Sequence, residues 1–319
     1  MADAASPHPS TAKVWTILGA LYFVWGTTYL GIEKVNETAP TLVGAGIRFL
    51  FAGTVLFTLS SLHTGERPLA PQWKAAAVVG VCLVLGGNAL VAVSESMGTP
   101  TGVVALIIAL IPLWLALFDR VLLRSAPLGW KVFVGLIGGF VGAATLLGTS
   151  AAIGHVPLGG MLVAVTATLC WTTGSLYART APLPKAPLLG SGMQQVVGGA
   201  VILAVALVAG EFRHVSVSQI SMQSWLGLLW LIVAGSFVGF SAYLWLLRNV
   251  RTSLVSTYAY VNPVVAVFLG WLVLSEPITS RLLVAGVIIL ASVALIVSAG
   301  GTSRSHAVEE PGPELEAQV

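Results

Sequence analysis

Apolar runs of about 20 residues recur along the whole chain, near 14–34, 41–61, 73–95, 101–123, 130–148, 158–178, 188–209, 224–246, 253–273 and 281–299. That is the length a helix needs to cross the hydrocarbon of a bilayer. The runs are continuous, not alternating, and too long for membrane strands, so a β-barrel is disfavoured. A water-facing surface is not open to this chain, because only 8% of its 319 residues are charged, against about a quarter in soluble domains. The sequence therefore predicts an all-α, polytopic membrane protein of ten transmembrane helices in the lipid bilayer. The first run follows Lys13 without a small-residue cleavage site, and reads as a retained helix. Residues 1–12 read as a polar tail, and residues 300–319, with Glu309, Glu310, Pro311 and Pro313, as a disordered one.

Lysine and arginine predict the orientation. With the N-terminus in the cytoplasm, 11 of them fall in inner segments, from Lys13, Arg67 and Lys74 to Arg248, Arg251 and Arg304, and 3 in outer ones, Lys34, Arg213 and Arg281. Both termini of this multi-pass protein are therefore expected to face the cytoplasm. Arg48 lies within a run. The net charge of +3 forms no patch for nucleic acid.

The chain also repeats. Trp25 matches Trp171 and Gly46-Ile47-Arg48 matches Gly192-Met193-Gln194, 146 residues apart, while Pro112 matches Pro263 and Gly135 matches Gly286, 151 apart. This divides the chain into a first repeat, 13–150, and a second, 151–299. Five helices per repeat is an odd number, so the second half enters the membrane upside down. Inverted repeats of this kind place a solute site near the midplane between the halves and let the halves rock for alternating access. Channels share the design, so it favours transport over catalysis more than it separates a carrier from a pore.

Several residues are candidates for lining such a site. Pro112 and Pro263, near the middle of the fourth and ninth runs, are expected helix breaks that free the carbonyls of Ile108 and Ala259. The ninth run is polar where the fourth is apolar. In it Tyr258 and Asn262 share a face, and Tyr260 points roughly 160–200° away. Trp25 and Trp171 lie deeper than the belt tryptophans and suit an aromatic wall. Asn88 and Tyr243 are further interior polar groups. The substrate-binding set is thus Trp25, Asn88, Trp171, Tyr243, Tyr258 and Asn262, in a cavity made by the first, third, fourth, sixth, eighth and ninth helices.

Arg48 sits roughly 10 Å from the outer end. It either anchors by snorkelling to headgroups or meets a carboxylate. Glu33 and Glu95, at outer helix ends, are expected to be solvated, so no acid at midplane argues for proton coupling. Glu276-Pro277 reads as a loop anchor. The glycines at 135, 138, 139 and 142, and at 190, 192, 198 and 199, have spacings that allow close approach of another helix, within the chain or across a dimer.

No cofactor or metal site is expected. There is no P-loop for ATP, all five histidines lie in tails or loops, and Cys82 and Cys170 read as buried apolar thiols. Nor is there a constellation of catalytic groups, so the chain is not expected to be an enzyme.

Taken together, the stretches Trp25-Gly26-Thr27-Thr28-Tyr29, Gly46-Ile47-Arg48-Phe49, Ala109-Leu110-Ile111-Pro112-Leu113, Tyr260-Val261-Asn262-Pro263-Val264 and Ser275-Glu276-Pro277-Ile278 resemble the EamA family of the drug/metabolite transporter superfamily over residues 14–299. The resemblance implies an inner-membrane carrier that exports amino acids, related metabolites or drugs. In relatives that export aromatic amino acids it implies aromatic residues on the third, fourth and sixth helices. Trp171 fits that pattern, whereas Ala109 and Ile111 stand where aromatics are expected, and Tyr260 and Asn262 hold the symmetric places in the ninth run. The expected function is export of a small organic metabolite, most simply amino acids. The alternatives are export of drugs, nucleosides or sugars, or a passive channel.

Overall fold

A computed structural model describes residues 10–122, 129–147, 157–178, 180–250 and 258–300. The described residues are helical, with no strand. The helices are α1 (Thr11–Asn36), α2 (Thr41–Thr64), α3 (Ala70–Ser96), α4 (Thr101–Ile108), α5 (Ile111–Leu122), α6 (Trp130–Leu147), α7 (Leu158–Ala178), α8 (Pro187–Val208), α9 (residues 222–249), α10 (Tyr258–Leu274) and α11 (Ser280–Gly300). Helix occupies every one of the ten apolar runs. Five of these helices are long and apolar enough by themselves to cross a membrane: α2, α3, α7, α8 and the first 22 residues of α9. Local chemistry sets their ends. The Ser10 hydroxyl caps α1 and a proline opens α8. Gly65 and Gly98, at φ 67° and 85°, take the left-handed turns that stop α2 and α3.

Two helices widen at matching places. Val81–Ala89 in α3 and Leu231–Gly239 in α9 are π-helical, nine residues each and 150 apart. Such widened turns are uncommon and cluster at functional sites.

The most extensive contact joins α2 to α8, and glycines make it possible. Gly46 meets Leu203, Gly53 meets Val196, Gly192 meets Phe57 and Gly199 meets Leu50. A β-carbon on Gly53 would stand 2.5 Å from the Val196 nitrogen, and one on Gly192 would stand 2.5 Å from the Phe57 nitrogen. These pairs run antiparallel. Adding 146 to one member and subtracting it from the other turns Gly46–Leu203 into Gly192–Phe57, and Gly53–Val196 into Gly199–Leu50. A similar seam joins α6 to α11, where Gly135 and Gly142 face Ile296 and Ile289. Cys82 and Cys170 are half-buried and lie opposite Gly174 and Gly86 across the α3–α7 crossing.

The main core surrounds α4, whose Val103–Ile107 stretch is buried among α10, α7, α1, α3 and α11. This accounts for the apolar character of the fourth run from Val103 to Pro112. At Pro112 the helix is interrupted between Ile108 and Ile111, and the turn is held by Leu110 N–H donating to Ile107 O at 3.0 Å. At Pro263 the expected break is absent, because α10 runs through it. Proline removes only one backbone donor, which a helix tolerates when packing holds the turn in place.

One end of the bundle is cross-tied by side chains. Glu276 accepts from Thr101 N (2.7 Å), Thr101 Oγ1 (3.0 Å) and Gly102 N (3.3 Å), so the turn after α10 caps α4. Glu211 accepts from Leu42 N and Val43 N at 2.9 and 3.1 Å and caps α2. Carboxylates suit helix N-termini, where free N–H groups and the helix dipole favour negative charge. The Ser224 hydroxyl donates to Lys34 O at 2.6 Å, and Thr38 Oγ1 accepts from Ser221 N at 2.9 Å. Ser94 donates to Gly160 O at 2.8 Å. Ser275, at φ 58°, is the described non-glycine residue in the left-handed region, and it aims Glu276 at α4.

Two stability predictions follow from this latch. Glu276→Ala is expected to cost about 1–3 kcal/mol by stranding the α4 donors, read as a lower thermal midpoint. Ser275→Gly is expected to gain about 1 kcal/mol, because glycine has no β-carbon to strain there, read on the same melting curve as an upward shift.

Candidate functional site

A cavity of about 100 Å³ lies where α1, α2, α3, α4, α5, α7, α9 and α10 converge. Trp25 and Tyr29 of α1 and Trp171 of α7 give it aromatic walls. Asn88 comes from the widened part of α3, and Gly235 from that of α9. Pro112, Tyr258, Asn262 and Pro263 complete the lining from the fourth and ninth runs.

The residues anticipated from sequence are placed as follows. Trp25, Asn88, Trp171, Tyr258 and Asn262 all face the cavity. Tyr243 does not, and stands behind the wall, its ring 5.2 Å from Trp25 and 6.0 Å from Tyr258. Tyr258 meets Trp25 edge-on at 5.0 Å, and Phe240 meets it at 5.9 Å. Edge-to-face rings hold one another in place, so this cluster makes one side of the cavity rigid. The two repeat-mate tryptophans are seated alike: Trp25 packs on Gly239 and Trp171 on Gly87, each glycine in the widened stretch of the opposite half. A side chain at either glycine would displace the indole.

Two of the polar groups are already engaged. Asn88 Nδ2 donates to Leu83 O at 2.9 Å and so satisfies a carbonyl of the widened helix. The Asn262 amide nitrogen, facing two carbonyls, donates to Tyr22 O and Tyr258 O, both at 3.2 Å. It thereby ties α10 to α1 as well as lining the cavity. Asn262→Ala is expected to cost about 1–3 kcal/mol for the buried carbonyls it strands, measurable by thermal unfolding in detergent.

Arg48 is the group whose position sequence left open. It does not reach toward headgroups. It is 5% exposed and lines the cavity from α2, a helix not expected to contribute. Its Nε donates to Ser236 Oγ at 3.3 Å. Gly235 makes room for the guanidinium, since a β-carbon there would stand 2.9 Å from Nη2. The guanidinium carbon also sits 4.5 Å from the centre of the Phe49 ring. Among the described residues Arg48 has no carboxylate partner, and the ion pair found there is Lys34–Glu37 at the surface. A smaller void of about 20 Å³ shares Ile32, Arg48 and Asn88 with the cavity and continues toward Asn36 and Thr41 at the tied end. Arg48 and Asn88 thus stand between two voids along one path.

Ser236, Gly235 and Phe240 were not anticipated. The signal available was the pair of small residues Gly235-Ser236 inside an apolar run. Glu95 also departs from expectation. It is 2% exposed, not solvated, because the turn at Gly98 and the docking of α7 fold over it.

The EamA-like transporter family model matches residues 12–148 and 158–298. The chain belongs to this family. It is a membrane transporter of that family, built from two repeats. The uncharacterized inner membrane transporter YedA of Escherichia coli (strain K12) is 34% identical over 254 residues, covering 79% of this chain and 80% of its own length. A probable amino-acid metabolite efflux pump of Salmonella typhimurium is 24% identical, covering 84% of this chain and 89% of its own. A solved crystal structure matches with a TM-score of 0.62 at 19% identity, covering 91% of this chain and 99% of that one, so the fold is shared.

Proposed function

We propose that this chain exports a small organic solute bearing a carboxylate, in the first place amino acids, across the inner membrane by alternating access. The observation that carries the reading is Arg48, a buried guanidinium facing an aromatic-walled cavity with no carboxylate beside it among the described residues. A cation in that setting is poorly compensated until an anion arrives. The fork of an arginine fits a carboxylate with two parallel hydrogen bonds. The apolar wall then receives the rest of the solute. The name of the Salmonella relative points the same way.

The mechanism rests on ten transmembrane helices in two inverted halves. Three observations support it: the glycine contacts of α2 and α8 that interchange by a shift of 146, the two π-helical stretches 150 apart, and the equivalent seats of Trp25 and Trp171. A two-fold relation in the membrane plane produces such pairs, and rocking about it exposes a central site to each side in turn. The lysine and arginine bias makes the cross-tied end the outer one, so this conformation is closed to the outside.

The test is uptake of radiolabelled amino acids into proteoliposomes, with and without unlabelled amino acid on the far side. Saturable flux accelerated by the far-side solute supports a carrier. Linear flux without acceleration indicates a channel. Absence of flux for every amino acid from folded protein removes the amino-acid reading in favour of drugs, nucleosides or sugars.

A further inference from the structure

The polar groups that line the cavity fall into two unequal sets. Arg48 supplies the fixed positive charge, and among the described residues no carboxylate lines the cavity. Most of the remaining polar lining is oxygen whose donors are already spent. Asn88 and Asn262 have their amide nitrogens tied to helix carbonyls, at 2.9 Å and 3.2 Å, so each keeps Oδ1 as a free acceptor. Thr28 gives its hydroxyl hydrogen to Trp25 O at 2.6 Å. A further acceptor is backbone. Ala109 lies in the break between α4 and α5, is 3% exposed, and lines the cavity. A helical carbonyl accepts from the N–H four residues on, or three on in a tighter turn. Three on from Ala109 is Pro112, which has no N–H. Four on is Leu113, whose N–H donates instead to Leu110 O at 2.9 Å, and Trp114 N–H turns to that same oxygen at 3.2 Å. Among the described residues no donor reaches Ala109 O.

A buried carbonyl without a donor is costly, and a solute that brings one relieves the cost. This carbonyl also follows the C-terminal end of α4, where the helix dipole favours positive charge. Ala109 O, Asn88 Oδ1 and Asn262 Oδ1 come from three helices onto one cavity that also holds the Arg48 guanidinium. An ammonium group carries three N–H bonds and accepts none, which is the complement of three such oxygens. A hydroxyl offers one hydrogen and no charge.

We infer that these oxygens form an ammonium subsite beside the carboxylate subsite at Arg48, so that the solute is selected by a primary amino group as well as by its carboxylate. Pro112 is the specificity-determining residue, because it keeps the Ala109 carbonyl free. This rests on the transport reading above and deepens it, narrowing the solute from carboxylates at large to zwitterions.

Binding to the full chain in detergent, read from thermal stabilisation against concentration, tests it. The probes are the standard amino acids, the 2-hydroxy acids of the same skeletons, and the plain carboxylic acids that lack the amino group. The amino acids that bind are expected to do so about 10- to 150-fold more tightly than their hydroxy and plain counterparts, the loss of a charge-assisted hydrogen bond. Equal affinities, or tighter binding of the hydroxy or plain acids, overturn the ammonium subsite and leave the carboxylate site at Arg48 standing. Absence of binding in all three series removes the carboxylate solute, and the subsite with it. Pro112→Ala is expected to let α4 run on into α5, because alanine supplies an N–H and favours helix. In this variant the preference for amino over hydroxy acid is expected to fall by about tenfold or more, while the preference for acid over carboxamide, set by Arg48, remains. A proline that served packing alone would move both preferences together or neither, and either result overturns its role. The wild-type series decides the subsite whether or not the variant folds.

Discussion

Replacing Arg48 with glutamine is expected to weaken binding of a carboxylate solute by about 10- to 150-fold, the equivalent of losing about 1.5–3 kcal/mol of charge-assisted hydrogen bonding. The loss is expected in KM or in the binding constant, with the thermal midpoint unchanged or raised. That second half of the signature separates a binding role from a structural one. A guanidinium that anchored the fold would lower stability when removed. Here the side chain is 5% exposed and, among the described residues, makes one long hydrogen bond to Ser236 and has no acid to repay its desolvation. Neutralising it relieves a cost. Arg48→Lys is expected to fall between, because a point charge keeps the attraction and loses the two-pronged geometry. Equal solute affinity in wild type and Arg48→Gln would remove Arg48 from the site.

The α2–α8 seam yields the largest expected loss of stability. Gly53→Val places its β-carbon 2.5 Å from the backbone nitrogen of Val196, and backbone cannot step aside as a side chain can. Overpacking of this kind costs about 1–3 kcal/mol and more where nothing yields. Gly199→Val is expected to cost a similar amount, because Leu50 faces it in the symmetric place. The double substitution is expected to cost less than the sum, since the first already separates the helices. Gly19 is the control. Nothing lies within 4 Å of a β-carbon there, so Gly19→Ala is expected to be neutral or to gain up to about 1 kcal/mol of helix propensity. Equal melting curves for Gly53→Val and Gly19→Ala would contradict the seam.

The helices were largely legible because lipid imposes length and apolarity on each one. The run placed at 41–61 became Thr41–Thr64, and that at 73–95 became Ala70–Ser96. What pattern cannot carry is a change of helical pitch. The widened turns at 81–89 and 231–239 lie within largely apolar stretches, so no periodicity marks them, yet they bring Asn88 and Gly235 to the cavity. Trp25 and Trp171 stood out because they lie deeper than the belt tryptophans, and with Asn88, Tyr258 and Asn262 they line one cavity. Tyr243 shows the limit: a ring one layer behind has the same sequence signature as a ring in the wall. Glu95 was misplaced for another reason. Its burial depends on a turn at Gly98 and on α7, whose Gly160 lies 66 residues beyond Ser94 in sequence. The span that contains Arg48 was visible, but the Gly235-Ser236 notch that receives it lies 188 residues away.

The most direct test of the central claim is counterflow of a radiolabelled amino acid in proteoliposomes, challenged with the same amino acid and with its carboxamide. The free acid is expected to sustain trans-acceleration and the carboxamide is not, with that discrimination lost in Arg48→Gln. Equal effects of acid and carboxamide in wild type, or discrimination unchanged in Arg48→Gln, would contradict a carboxylate site at Arg48.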